Sequence, residues 1–166
     1  PLQSRNAHLN ITRLGAVVRE YQVDMYGQTD SPLHRGIGTD RFVALWQLPS
    51  DRVAGRLVDD PVCVFESSSV DEPSVGIALA ASSDSTSYHP SPGSVELDLE
   101  NDWVSVEIPS DVGTLMDEDL DLAQAWRIAT RASLTHYMSL GYEVREFVRG
   151  DSVSRYLLTR IKEGES

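Results

Sequence analysis

The residues best suited to chemistry gather in one stretch. Tyr26, His34, Arg35, Asp40 and Arg41 all fall between the aromatic residues Tyr21 and Phe42. A neutral imidazole such as that of His34 suits a general base near pH 7. A guanidinium, at Arg35 or Arg41, can hold a carboxylate through two parallel hydrogen bonds. With Tyr26 and Asp40 these form a candidate site for a small-molecule amine or amino acid that carries an anionic group. The plainer alternative is a loop in which His34 and Arg35 pair with Asp30 and Asp40. Arg127 and Arg131, at i and i+4 of a predicted helix, are expected to pair with nearby acids. No Cys–Cys or His–Cys spacing suggests a metal centre, and none is expected.

These residues need a scaffold, and the chain repeats one. Residues 14–21, Leu-Gly-Ala-Val-Val-Arg-Glu-Tyr, and 140–147, Leu-Gly-Tyr-Glu-Val-Arg-Glu-Phe, agree at five of eight positions. Each follows a helical pattern. Ala7, Ile11 and Leu14 recur at i, i+4 and i+7, and Leu122, Trp126, Ala129, Ser133, Tyr137 and Leu140 make a longer stripe. Gly15 and Gly141 then stand where a helix end needs a left-handed residue. Each copy continues into a predicted hairpin, residues 16–23 with 41–48 and residues 142–149 with 154–161. The first copy spans 21 residues from Tyr21 to Phe42, the second only 9 from the matching Phe147 to Tyr156. The shorter hairpin shows that the repeat does not need the added loop, which is the loop holding the candidate site.

Between the copies, residues 49–60 read as a linker. Short strands are expected at 62–66, 75–81, 95–99 and 103–108. Ser82 to Ser94 reads as a disordered loop, too polar to pack. A helix is predicted over 116–140, with Asp117, Glu118, Asp119 and Asp121 at its start, where the helix dipole favours anions. Trp46, Trp103 and Trp126 are taken as core aromatics. The expected organisation is a first unit over 1–48, an acidic connecting segment over 49–101 and a second unit over 102–166. Together they make an α/β protein of the α+β type, with a mixed, mostly antiparallel sheet.

Charge and cysteine content exclude several functions. The net charge is −12, and residues 61–124 hold fourteen acids and no Lys or Arg. Nucleic acid needs a basic surface to displace its counterions, and anionic lipid would repel this chain. No nucleic-acid or membrane partner is therefore expected. No apolar run approaches the roughly 20 residues that span a bilayer. Cys63 is the single cysteine and reads as a buried strand residue, which suits a cytoplasmic protein.

Longer stretches resemble one family. They are Arg5-Asn6-Ala7-His8-Leu9-Asn10, Arg13-Leu14-Gly15-Ala16, Tyr21 with Asp24-Met25-Tyr26-Gly27, and Ser31-Pro32-Leu33-His34-Arg35-Gly36-Ile37-Gly38-Thr39-Asp40-Arg41-Phe42. Ala125-Trp126-Arg127, Arg131 and Gly141-Tyr142 join them. They are similar to GNAT-type proteins described as acyltransferases, some of them similar to CoA-dependent amino-acid N-succinyltransferases. The resemblance is strong over 5–48, moderate over 103–161 and weak between. It implies two half-GNAT helix–strand–strand units and a co-substrate that is acetyl-CoA or another acyl-CoA. It also implies an acceptor site beside the Tyr26–Arg41 loop, and contacts to CoA from Arg5, Asn6 and Asn10 on the first helix. The family's usual acid, a tyrosine, corresponds to Ile11, and its usual asparagine to Ser4. Tyr137 holds the tyrosine position in the second copy and reads as a core residue. The family's CoA pyrophosphate loop has its nearest counterpart in residues 35–40, which precede a strand instead of opening a helix. The chain is therefore expected to be the C-terminal part of a longer protein that associates with a missing N-terminal half or with a second copy. The competing reading is a non-catalytic binding or dimerisation module.

Overall fold

The computed structural model describes residues 1–27, 36–57, 75–82 and 88–161. His34, Arg35, Asp30 and the expected strand at 62–66 with Cys63 lie outside the described residues. The first helix, α1, begins as α-helix, Ser4–Ala7, and continues as π-helix, His8–Arg13. Its last turn is wide enough for the Leu14 amide to bond the Leu9 carbonyl at 3.0 Å. Gly15 follows with φ +73°, as the repeat predicts. Then come β1 (Val17–Gln22), β2 (Arg41–Leu45), α2 (Asp51–Arg56), β3 (Val75–Ala81), β4 (Pro92–Val95) and β5 (Trp103–Pro109). The chain ends with α3 (Val112–Glu118), α4 (Leu120–Ser139), β6 (Tyr142–Val148) and β7 (Val153–Arg160). No helix among the described residues is long and apolar enough to cross a membrane.

The strands form one seven-stranded sheet in the order β2-β1-β6-β7-β5-β3-β4. Only β3 and β5 pair in parallel; the other neighbours are antiparallel. The two copies meet between the second and third strands of this order, β1 and β6. Val18 and Val144, equivalent residues of the repeat, are cross-strand partners. β1 and β6 each carry a bulge at the same place, Arg19 between Val18 and Glu20 and Arg145 between Val144 and Glu146. Tyr21 faces Phe42 across the first hairpin as Phe147 faces Tyr156 across the second. The four rings touch in series, with centroids 5.7, 5.2 and 4.8 Å apart. The repeat is thus a pseudo-dyad through the Val18–Val144 pair. Bulges at matched positions re-aim both strands alike, so the symmetry survives in the twist of the sheet.

The main core joins both copies: Ile11 and Val18 from the first, Trp126, Leu134, Tyr137, Val144, Phe147 and Tyr156 from the second, and Val104 and Val106 from β5. A smaller cluster, Val75 and Leu157 with Trp103 and Val148, lies on the opposite side of the strands. Tyr137 is a core tyrosine, fully buried, with its hydroxyl donating to the Glu96 carbonyl at 2.8 Å.

Four expectations are corrected. The linker at 49–60 contains a helix: the Ser50 hydroxyl accepts the Val53 amide, and Val53 and Arg56 are buried. One short turn is too brief to show a periodicity, and its anchor is a distant acid, Glu146, which accepts from Arg56 at 2.7 Å and from Arg52 at 2.8 Å. The polar stretch Ser82 to Ser94 is structured at its described residues, 82 and 88–94, where the Ser82 amide bonds the Ser91 carbonyl at 2.8 Å. Its strand β4 pairs with β3, and the Pro90 carbonyl accepts the Trp126 indole at 2.8 Å. Backbone pairing needs no apolar side chain, so the composition hid it. The long helix is two helices, because Asp119 leaves the helical conformation and caps α4 through the Leu122 amide at 2.9 Å. Trp46 is 47 % exposed at the sheet edge, beyond the end of β2, and Leu140 is also exposed.

Candidate functional site

A cleft of about 670 Å³ opens where the two copies adjoin. The N-terminal turn of α1 supplies Arg5 and Asn6, and the segment leading into β2 supplies Ile37 and Arg41. α4 supplies Arg127, and the turn between β6 and β7 supplies Arg149 and Asp151. The opposite sign comes mostly from α3, through Asp111 at its N-cap and Asp117. Arg5 and Asn6 are thus brought to one cavity with Arg41, far from them in sequence. Asn10 is not among its lining residues; it is exposed, and its side-chain amide donates to the Asn6 carbonyl at 2.8 Å.

Arg127 distinguishes this cleft. The residue is 6 % exposed, and its Nε donates to the Ile37 carbonyl at 2.8 Å. Its Nη1 is buried with no hydrogen-bond partner, and the nearest carboxylate oxygen, on Asp40, stands 3.7 Å away. Buried guanidinium N–H groups are normally satisfied, and one left open is costly unless something completes it.

Asp40 has a different place from the one the sequence suggested. It is fully buried and does not line the cleft. Its carboxylate accepts from the Tyr21 hydroxyl at 2.5 Å, the Asp24 amide at 3.0 Å, and Arg131 Nε and Nη2 at 2.8 and 2.6 Å. Burial by itself would raise its pKa, but the Arg131, Tyr21 and Asp24 hydrogen bonds outweigh this and hold it at about 2. Burial and the negative Asp40 push the Tyr21 phenol upward, so it stays a donor. With every direction occupied, Asp40 cannot also grip a substrate. It is instead the root of the enlarged loop. Asp24, at φ +47°, accepts the Thr39 amide at 3.1 Å, and the Thr39 hydroxyl accepts the Tyr26 amide at 3.0 Å. Gly38 must be glycine here, since a Cβ would stand 2.4 Å from Asp24 Oδ1. Tyr26 is 63 % exposed, with the Arg41 guanidinium 5.6 Å from its ring centre, and is not part of the cleft wall.

Arg127 and Arg131 both pair with an acid, as their spacing suggested: Arg131 with Asp24 and Asp40 at 3.2 and 2.6 Å, and Arg127 with Asp40 at 3.7 Å, beyond hydrogen-bond distance. The place of Arg127 in the cleft wall was missed, yet a signal existed. Ala123, Arg127, Thr130, Leu134 and Tyr137 share one buried helix face, and an arginine on such a face calls for a partner. Residues 36–40 lead into β2 and open no helix, so they do not form a phosphate-cradling loop of the helix-N-terminal kind. Among the described residues no three His, Cys, Asp or Glu side chains meet as metal ligands. No protein-family model, no curated protein and no solved structure matches the chain.

Proposed function

We propose that this chain is part of a CoA-dependent, GNAT-type N-acyltransferase that moves an acetyl or succinyl group from CoA to a primary amine, with an amino acid as acceptor in the cleft. The observation that carries the reading is a cavity that brings Arg5, Arg41, Arg127 and Arg149 together, with one buried N–H of Arg127 that no hydrogen bond fills. A carboxylate completes such a donor. An amino acid also brings an ammonium group, and α3 lines the same cavity with Asp111 and Asp117. In the transfer, the amine nitrogen attacks the thioester carbonyl. The C–N bond forms, the C–S bond breaks, the thiolate leaves, and the nitrogen gives its proton to a base. A guanidinium cannot take that proton. Asp117, exposed at the rim, and His34 on the enlarged loop are the candidates. Arg5 and Asn6, at the start of α1, would meet the phosphates or amides of CoA.

A second reading, a binding or dimerisation module without catalysis, is favoured by Ile11 standing where the resemblance expects a tyrosine acid. Tyr137 offers no substitute, since its hydroxyl is committed to Glu96. Thermal-shift measurements with acetyl-CoA, succinyl-CoA, free CoA and free amino acids separate the two. A ligand at a hundred times its Kd adds about 2.7 kcal/mol, or roughly 5–10 °C for a domain of this size. The acyltransferase reading expects such a shift with at least one CoA species, and loss of the amino-acid response in Arg127→Met. A chain that responds to none of them leaves only the module.

A further inference from the structure

We infer that Arg5, Arg13 and Arg149, gathered around His8 on one flank of α1, hold a phosphate group of the ligand beside the cleft. Among the described residues these three make no side-chain hydrogen bond or ion pair, whereas every other described arginine makes at least one. The chain holds 26 acidic residues, so partners are not scarce. Arg5 and Arg149 line the cleft. His8 stands three residues after Arg5, on the same side of the helix. The π-helical stretch runs from His8 to Arg13, which puts these two residues five apart. Winding with i→i+5 bonds sets such a pair on one flank, where α-helical winding would set it far round the helix. Burial first, and then the charges of Arg149 and Arg13, hold the His8 imidazole below its ordinary pKa. The ring is therefore neutral at pH 7, and its Nδ1 is buried with no hydrogen-bond partner among the described residues.

The repeated unit does not require this cluster. Counted from Gly15 and Gly141, the second copy has Leu134 for His8 and Ser139 for Arg13. Counted from Tyr21 and Phe147, the first copy has Val23 for Arg149. α4 is α-helical throughout, with no wide turn. Arg5 does have a counterpart, Arg131, but Asp24 and Asp40 meet that one. Gly150 and Ser154 stand at the places of those two acids in the second hairpin. The match shows in the bonds: the Asp24 amide donates to Asp40 at 3.0 Å, and the Gly150 amide to the Ser154 hydroxyl at 3.4 Å. Of the acids in the cleft wall, Asp111 is held ionised chiefly by the Thr114 amide and hydroxyl at 3.1 and 3.0 Å, with only a minor share from Arg5. Asp117 and Asp151 are exposed. Cations gathered in this way repel one another until an anion joins them. Three guanidinium groups, with an imidazole that can take a proton, suit a multiply charged group with several oxygens, a phosphate monoester or diphosphate, better than a single carboxylate. In the acyltransferase reading that phosphate is one of CoA; any other phosphate-bearing ligand of the cleft would meet the same four side chains.

Inorganic pyrophosphate is the probe, with acetate at matched ionic strength for comparison, and the His8 ring resonances are followed by NMR across pH. Saturable pyrophosphate binding should raise the His8 pKa, since a nearby anion favours the charged ring, and acetate should not. Arg13→Gln and Arg149→Gln should each weaken pyrophosphate binding about fivefold, while Arg160→Gln, at the end of β7, leaves it unchanged. No response of His8 to pyrophosphate, an equal response to acetate, or full affinity in the Arg13 and Arg149 variants overturns the inference. CoA separates this site from the acyltransferase reading. A chain that takes pyrophosphate here but not CoA keeps the site and loses the acyltransferase. CoA binding that leaves His8 unmoved, and that both variants retain in full, keeps the acyltransferase and loses the site.

Discussion

Replacing Asp40 with asparagine removes the charge at the root of the enlarged loop and leaves the shape nearly unchanged. The carboxylate is wholly buried and holds Tyr21, the Asp24 amide and two nitrogens of Arg131. Its pKa of about 2, against an ordinary 3.8, corresponds to roughly 2–3 kcal/mol of folded-state preference for the anion. Removing one partner of a buried ion pair costs about 3–5 kcal/mol, because the other charge is stranded. Arg131 is 34 % exposed and can regain water, while Arg127 is 7 % exposed and cannot. The lower end applies, about 3 kcal/mol for Asp40→Asn at pH 7. The pKa is depressed on folding, so this stability is present above pH 4 and is lost as the pH falls through about 2. Urea unfolding of both proteins from pH 7 to pH 2 measures it. The gap between them should be about 3 kcal/mol at neutral pH and shrink steadily below pH 4. A gap under 1 kcal/mol at pH 7, or one that persists unchanged to pH 2, would refute the argument.

The remaining predictions use one copy of the repeat as a control for the other. Glu146→Gln strands Arg56, whose side chain is 4 % exposed, and should lower unfolding stability by about 3 kcal/mol. Glu20→Gln at the equivalent exposed position should change it by no more than about 0.5 kcal/mol in the same titration. Gly15 and Gly141 share a positive φ, but a Cβ at Gly15 would meet Arg56 Cγ at 3.2 Å and the Val53 backbone at 3.3 Å, while at Gly141 it meets nothing within 4 Å. Alanine should therefore cost about 1 kcal/mol at Gly141 and clearly more at Gly15, read from the shift in denaturation midpoint. Arg127→Met removes a buried charge beside Asp40, so its thermal-shift response is compared with its own ligand-free melting point. The response to amino acids should vanish while the protein still melts cooperatively.

The repeat was legible because it is local. Helix stripe, left-handed glycine and alternating strand each fit within a short window, and the aromatics Tyr21, Phe42, Phe147 and Tyr156 mark matching places in the two hairpins. The Tyr21–Phe42 and Phe147–Tyr156 pairs are cross-strand partners. What the local pattern could not carry was any element whose stability comes from elsewhere. α2 exists through Glu146 of a distant strand, and β4 through the backbone edge of β3. The division of the long helix depended on one aspartate choosing a cap over another turn.

The candidate site divides in the same way. Residue type and spacing identified the enlarged loop and put Arg41 forward, since charge and hydrogen-bonding capacity belong to the residue, while the family resemblance put Arg5 and Asn6 forward. Whether a given charge faces a ligand or another side chain depends on what lies across from it in space. Only the tertiary structure decided that Asp40 is consumed by Tyr21 and Arg131 inside the protein, and that Arg127 borders the cleft while one of its buried N–H groups lacks a hydrogen bond. Sequence determined two copies of one unit; folding them about the Val18–Val144 pair determined which side chains could still meet anything else.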